Sequence, residues 1–179
     1  MKNLKNQSPK ILVVGDLMID HYLWGSSNRI SPEAPVQIVN IKNESVVLGG
    51  AGNVINNLKA LGAQVDVISV LGGCEISDEL KSLLDNIDID TQHLITQKDR
   101  ITSKKSRIIA SHQQVVRYDR ESTDEINNES QNVALEIFEK IISDYDNVLL
   151  SDYGKGVLTP NLTQSLISIA NKNHKKNSE

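Results

Sequence analysis

The sequence predicts an α/β fold with a mostly parallel sheet, flanked by helices and interrupted by two hairpins. Three observations predict it. Short apolar runs stop at glycines, as Ile11–Val14 does before Gly15-Asp16 and Val65–Val70 before Gly72-Gly73, the pattern of strands buried in a parallel sheet. Segments with the helical apolar period stand between these runs. Two β-rich stretches, one within residues 36–48 and one within 101–119, break the alternation and are candidates for a small lid.

Ile11–Val14 is the first strand, ending in a loop at Gly15-Asp16. Val36–Ile41 follows Pro32 and Pro35, gives way to the polar Lys42–Ser45 and resumes at Val46–Leu48, which predicts a hairpin outside the main layer. Val54, Leu58 and Leu61 then fall at i, i+4 and i+7, a helix that Gly62 is placed to end. Val65–Val70 is the next strand. Ile76, Leu80, Leu83, Leu84 and Ile87 line one helix face, with Ser77 a candidate N-cap. Ile101–Ile109 and Gln113–Asp119 form the second hairpin around Ala110-Ser111-His112. Val133, Ile137 and Ile141 mark a further helix, and Asn147–Ser151 a strand. Thr159-Pro160 opens a last helix through Leu162, Leu166 and Ile169, with proline at the first helical position, where its missing N–H costs nothing.

The 179 residues suffice for one domain with a real core. Aromatic residues are only 3% of the chain, so that core must be aliphatic. A net charge of −4 without a basic block argues against a nucleic-acid partner. Lys172, Lys175 and Lys176 follow the last apolar helix positions, where cations suit the negative end of the helix dipole. Cys74 is the single cysteine, which excludes an intrachain disulfide and fits a reducing compartment. Residues 1–10 are polar and no apolar run approaches membrane-spanning length, so a soluble, cytoplasmic protein is expected.

Three loops carry residues suited to ligand chemistry. Gly15-Asp16-Leu17-Met18-Ile19-Asp20 follows the first strand, and ligands of parallel α/β sheets sit beyond the strands' carboxyl ends. Asp16 and Asp20 there either accept hydrogen bonds from hydroxyls or merely cap a turn and meet solvent. Gly49-Gly50-Ala51-Gly52-Asn53 opens a helix. Its glycines let a ligand approach the backbone, and Asn53 can donate and accept; a tight packed turn is the alternative. Ser151-Asp152-Tyr153-Gly154-Lys155-Gly156 ends another strand, where Lys155 either reaches a phosphate or lies on the surface. Arg117 and Arg29 carry the same ambiguity between a ligand and a neighbouring carboxylate.

Rival chemistries do poorly. Gly50-Ala51-Gly52-Asn53-Val54-Ile55 has isoleucine where a dinucleotide fingerprint needs its third glycine. The spacing around Lys155 is not that of a P-loop. The histidines (His21, His93, His112, His174) are scattered without an i, i+4 pair, so no metal site is expected, and no nucleophile elbow is present.

The ordered segments resemble the ribokinase-like (PfkB-type) carbohydrate kinases, and within them the heptose-7-phosphate kinases. The carrying residues are Val13 to Asp20, the run Arg29-Ile30-Ser31-Pro32-Glu33-Ala34-Pro35-Val36, Gly49 to Val54, Gln113 to Asp119 and Ser151 to Gly156. The resemblance implies a ribokinase-like fold with lid segments at about residues 21–48 and 100–119. It implies substrate binding by Asp16, Asp20, Gly49, Gly50, Asn53, Arg117 and Lys155. It also implies transfer of the γ-phosphate of Mg-ATP to the anomeric hydroxyl of a heptose 7-phosphate, a step towards ADP-heptose and lipopolysaccharide, and a homodimer formed through the lid.

One departure bears on activity. The family carries a Gly-Ala-Gly-Asp motif whose aspartate is the general base and whose glycines form an anion hole. The 179 residues contain no such motif; at Gly50-Ala51-Gly52 the next residue is Asn53. The chain therefore reads as the N-terminal portion of one kinase domain, residues 1–179, lacking the C-terminal part of the fold. With no catalytic residue of its own, it is expected to be inactive alone. Thr159-Pro160-Asn161 resembles a nucleotide-side motif of the family, but its place in the order assigns it to the start of the last helix.

Overall fold

The computed structural model describes residues 8–176, with side chains as far as Asn173; the lysines expected to cap the last helix at 175 and 176, His174 and the polar start at 1–7 lie outside those side chains. Four parallel strands form the main sheet: β1 (Lys10–Gly15), β4 (Gln64–Gly72), β5 (Leu94–Gln97) and β8 (Asn147–Ser151), in the order β5-β4-β1-β8. A second sheet, in the order β3-β2-β6-β7, holds β2 (Leu17–Ile30), β3 (Gln37–Gly50), β6 (Ser103–Ala110) and β7 (Gln113–Arg120). The helices are α1 (Ala51–Ala60), α2 (Glu75–Asp85), α3 (Asn128–Ile141) and α4 (Pro160–Lys176), with a 3-10 turn at Ile142–Asp144.

β1 is the middle of the main sheet and is covered on both faces. Val13 points into a core with Ile55 of α1 and Leu80 and Leu84 of α2. Leu12 and Val14 point the other way, into a core with Phe138 of α3 and Leu162 and Leu166 of α4. Phe138, the one phenylalanine, is fully buried. The chain runs outward from β1 to β4 and β5, then returns to place β8 on β1's other side. The β1–β8 boundary is thus the point where strand order reverses, and crevices at such points hold ligands.

The structure corrects several expectations. The hairpin expected inside 36–48 is instead a long ribbon: β3 is one strand through the polar 42–45, paired antiparallel with β2 from Leu17↔Gly50 to Ile30↔Gln37. The turn lies at 31–36. Much of the ribbon projects into solvent, so β2 lacks the clean apolar–polar alternation that marks a strand packed on a core. The apolar face of α1 is centred on Ile55 with Leu58, while Leu61 sits past the helix end and is 85% exposed. In α3 the buried face is Ser130, Ala134 and Phe138; Val133 lies at its exposed margin. Cys74, not Ser77, occupies the N-cap position of α2. Ser77 lies inside the helix and its hydroxyl bonds the Gly72 carbonyl and Thr102 Oγ1. β5 carries no signal strong enough for the sequence to announce it.

Other elements stand where the sequence puts them. β8 spans Asn147–Ser151, and Thr159 Oγ1 caps α4 by accepting from Leu162 N at 3.1 Å. The second hairpin turns at Ser111-His112, both with positive φ. The sequence could not reveal that β2 and β6 pair in parallel, joining the two hairpins into one sheet.

Candidate functional site

Asp16 is where the two layers are fastened. It follows β1 at the reversal point and is 1% exposed. Its Oδ2 accepts from the backbone N–H of Tyr153 at 2.8 Å and of Lys155 at 3.1 Å, and its Oδ1 from that of Val157 at 3.1 Å. Its own N–H donates to the Ser151 carbonyl, and its carbonyl accepts from Ala51 N at the start of α1. Both oxygens are therefore engaged by the protein, and Asp16 shapes the 152–157 loop from below.

Arg100 holds the same loop from the other side. Its guanidinium is buried and donates to the carbonyls of Lys155 and Asp124. Burial lowers its pKa, and the nearby Asp16 carboxylate opposes that shift. Gly156 has φ +80°, and a Cβ there would meet the Asp124 carbonyl oxygen at 2.1 Å. The loop can take only this close-packed course.

Asp20 lies one turn of the pleat into the second sheet. Its Oδ1 accepts from Arg107 Nη1 at 2.5 Å. Its Oδ2 faces Gly49, where an added Cβ would stand 2.4 Å away. Gly50 has φ +57°, and a Cβ there would meet the Asp16 carbonyl oxygen at 2.5 Å. The Gly49-Gly50 backbone thus runs directly beside both aspartates, and only glycine fits. Asn53 is exposed in the first turn of α1.

The register of the second sheet gathers the remaining charges. Val47, Asp20, Lys105 and Asp119 form one row across its four strands, and Ser45, Tyr22, Arg107 and Arg117 the next. Directly paired residues share a face. Lys105 donates to Asp119 at 3.1 Å and to Glu121 at 2.9 Å. Arg117 makes two bonds to Asp119, and Lys155 reaches from its loop to Glu121 at 2.8 Å. Glu121 therefore bridges the second sheet and the 152–157 loop. Arg107 also stands over the Tyr22 ring, 5.2 Å from its centroid, and Tyr22 stacks on Trp24 at 5.6 Å.

These bonds set the ionisation of the cluster. The Arg117 hydrogen bonds, with help from Lys105, hold the Asp119 carboxyl well below its usual range. Burial works against the charges of Lys105 and Glu121, but their hydrogen bonds outweigh it. Lys105 is raised above the ordinary lysine value, and Glu121, bonded to Lys155 and Lys105, is lowered.

Of the residues singled out from sequence, Asp16, Asp20, Gly49, Gly50 and Lys155 meet at the carboxyl ends of β1 and β8, with Arg117 on the same face of the second sheet as Asp20. Asn53 lies at the margin. Arg29 is exposed near the ribbon's far end, nine residues beyond Asp20 and so about 30 Å away. Lys105, Arg107, Glu121, Arg100 and Tyr22 were not singled out. The alternation of Lys105 and Arg107 along β6 was a usable signal, but only the pairing with β2 reveals which face they share. His21 is buried on the opposite face, between Ser106 at 3.3 Å and Glu44 at 2.9 Å. Among the described residues no group of three His, Cys, Asp or Glu side chains could hold a metal ion. No helix among them is long and apolar enough to cross a membrane.

Residues 8–178 match the profile of the pfkB family carbohydrate kinases. The chain is 64% identical over 171 residues to a protein of Aliarcobacter butzleri described as bifunctional protein HldE, covering 96% of this chain and 36% of that one. A protein of Sulfurimonas denitrificans with the same description is 58% identical over 173 residues, covering 97% and 36%. The chain thus spans about a third of the length of these relatives. Among solved structures, a carbohydrate kinase from Agrobacterium tumefaciens superposes with a TM-score of 0.68 at 20% identity, over 93% of this chain and 51% of that one. Arabidopsis thaliana ribokinase complexed with ribose and ATP gives 0.61 at 13% identity, over 94% and 52%. The fold is ribokinase-like.

Proposed function

The chain belongs to the pfkB family of carbohydrate kinases, and from that membership we propose that it is the sugar-binding part of a heptose-7-phosphate kinase. The intact enzyme would move the γ-phosphate of ATP to the anomeric hydroxyl of D-glycero-β-D-manno-heptose 7-phosphate, feeding ADP-heptose and lipopolysaccharide core synthesis. The observation that carries this reading is the meeting of Asp20, the Gly49-Gly50 turn and the Lys155 loop beneath one charged lid face.

Each group has a task suited to a phosphosugar. Asp20 keeps Oδ2 for a sugar hydroxyl while Arg107 fixes Oδ1. The side-chain-free Gly49 and Gly50 let the ring approach, with Asn53 at the margin as a further donor and acceptor. Lys155 and Arg117 supply positive charge for the substrate's phosphate. Asp16 acts indirectly, by holding the loop that carries Lys155. No Gly-Ala-Gly-Asp stands in the 179 residues. On this reading these 179 residues alone would bind sugar phosphate without transferring phosphate.

A dimer formed through the lid is part of the same reading. Val116 and Tyr118, on the face of the second sheet opposite Asp20, are 45% and 51% exposed, and a second copy would cover such a surface. A non-catalytic binding or dimerisation module is the alternative description of the chain in isolation.

Calorimetry with heptose 7-phosphate and with ATP tests the proposal. Sugar-phosphate binding is expected, with weak or no nucleotide binding and no ATP-dependent turnover. Arg107→Met should weaken the sugar phosphate by about tenfold or more, since Asp20 then loses its fixed orientation. Turnover near that of a complete kinase, or equal affinity for sugars lacking the phosphate, would refute it. Sedimentation of the free chain tests the dimer.

A further inference from the structure

Aromatic residues make up only 3% of the chain, yet two of them stand two positions apart on β2, outside both apolar cores. Tyr22 and Trp24 stack with ring centroids 5.6 Å apart and planes inclined by 16°. The two-residue period of a strand puts both rings on the face that carries Asp20. Val116 and Tyr118 lie on the other face, so a dimer contact there does not use the stack.

What the stack touches is Arg107. The guanidinium stands over the Tyr22 ring, 5.2 Å from its centroid, while Nη1 donates to Asp20 Oδ1. Tyr22 and Arg107 are direct partners in the β2–β6 ladder, whereas the direct partner of Asp20 is Lys105. Lys105 turns instead to Asp119 and Glu121, and Arg107 reaches diagonally to Asp20. A free cation has many ways to meet that carboxylate. A planar guanidinium held against a ring has few. The Arg107 and Asp20 side chains are each 21% exposed, so solvent screens the pair only in part and its geometry matters. The backbone holds the stack in turn. The β2–β3 ladder shifts register between Trp24 and Gly25, and the β6–β7 ladder between Ile108 and Ile109, the latter the direct partner of Trp24. Two bulges at one level bend the sheet where the aromatic pair ends, and bulges re-aim the side chains beside them.

We propose that Tyr22, backed by Trp24, is a positioning residue of the sugar site. Its ring holds the Arg107 guanidinium in the orientation that fixes Asp20 Oδ1, and so aims Oδ2 as the open acceptor for a sugar hydroxyl. Tyr22 itself touches no substrate; it acts through Arg107, and Trp24 acts through Tyr22. The inference rests on the reading of this site as a sugar-phosphate pocket, and it concerns the hydroxyl end of the ligand, not the phosphate end.

Calorimetry of the chain with heptose 7-phosphate and with inorganic phosphate tests it. Tyr22→Leu should weaken heptose 7-phosphate by about fivefold to tenfold and leave inorganic phosphate unchanged. Tyr22→Phe keeps the ring and should restore affinity to within about twofold of the wild type. Arg107→Lys, which keeps the charge without the planar fork, should match Tyr22→Leu, and the double variant should bind no worse than either single one. In the free chain, NMR should find slow rotation of the Arg107 guanidinium in the wild type and in Tyr22→Phe, and faster rotation in Tyr22→Leu. The proposal fails if Tyr22→Leu binds like the wild type, if Tyr22→Phe binds as poorly as Tyr22→Leu, or if the losses from Tyr22→Leu and Arg107→Lys add. It fails equally if inorganic phosphate weakens in parallel, because the change is then a general loss of structure. Should the wild-type chain bind no sugar phosphate, the substrate reading fails by itself. The Arg107 signal then decides the relay alone, and rotation unchanged in Tyr22→Leu overturns it.

Discussion

Asp16 shows how one residue can serve a site without facing the ligand. A carboxylate that is 1% exposed is stable only if its charge is fully answered, and here three backbone N–H groups and the nearby Arg100 answer it. Asparagine would keep the shape but place an N–H donor among donors. Asp16→Asn should therefore cost about 2–4 kcal/mol, read as a lower urea midpoint. Asp152→Asn, at an exposed turn position, should change stability by less than about 0.5 kcal/mol. From sequence, Asp16 and Asp20 look alike: two carboxylates after one strand. Only the fold separates them, because one turns under the 152–157 loop and the other out towards Gly49.

At the scale of elements, the β6–β7 hairpin is held in register by its charged row and closed by an unfavourable turn. Ser111 and His112 have φ of +51° and +67°, both in the left-handed region. A two-residue turn with both φ positive favours Asn-Gly, and other side chains there cost about 1 kcal/mol each. Replacing Ser111-His112 by Asn-Gly should raise the melting temperature by roughly 2–4 °C without altering sugar-phosphate affinity. The hairpin itself was legible, since two β-rich runs flank a short polar break. The 17–50 ribbon was not, because polar residues such as Lys42, Asn43 and Glu44 sit inside a strand that packs on nothing at that point. Helix positions were legible, as were the buried faces of α2 and α4, but the faces of α1 and α3 were displaced by a residue, as Val133 against Ala134 shows: small buried residues carry little periodic signal.

For the whole molecule, Glu121 couples the second sheet to the 152–157 loop through Lys105 and Lys155, and that coupling has a pH window. Asp119 and Glu121 titrate below their ordinary values in the folded chain. Their contribution is thus present above the ordinary carboxylate pKa of about 4 and lost as pH falls through the lower folded values. Lys105 is raised, so its share is complete below the ordinary lysine pKa of about 10 and is lost as pH rises through the higher folded value. Stability should be flat from about pH 5 to pH 9 and fall below about pH 4. Glu121→Gln should lower the melting temperature at pH 7 by roughly 3–6 °C, for a loss of about 1–2 kcal/mol. The gap between the two proteins should narrow as pH falls, which thermal scans across pH would read directly.

The sequence by itself determined the parallel α/β plan, the ends of β1, β4 and β8, and the loops that carry Asp16, Gly49-Gly50 and Lys155. These are local matters: apolar runs set strands, and glycines set where the backbone turns or comes close. Tertiary structure alone decided that β2 pairs with β6, and so that Lys105 and Arg107 face the same side as Asp20. It also decided that Glu121 reaches Lys155. Pairing between residues some 85 positions apart, as for Asp20 and Lys105, depends on register, and register leaves no mark in either segment read alone.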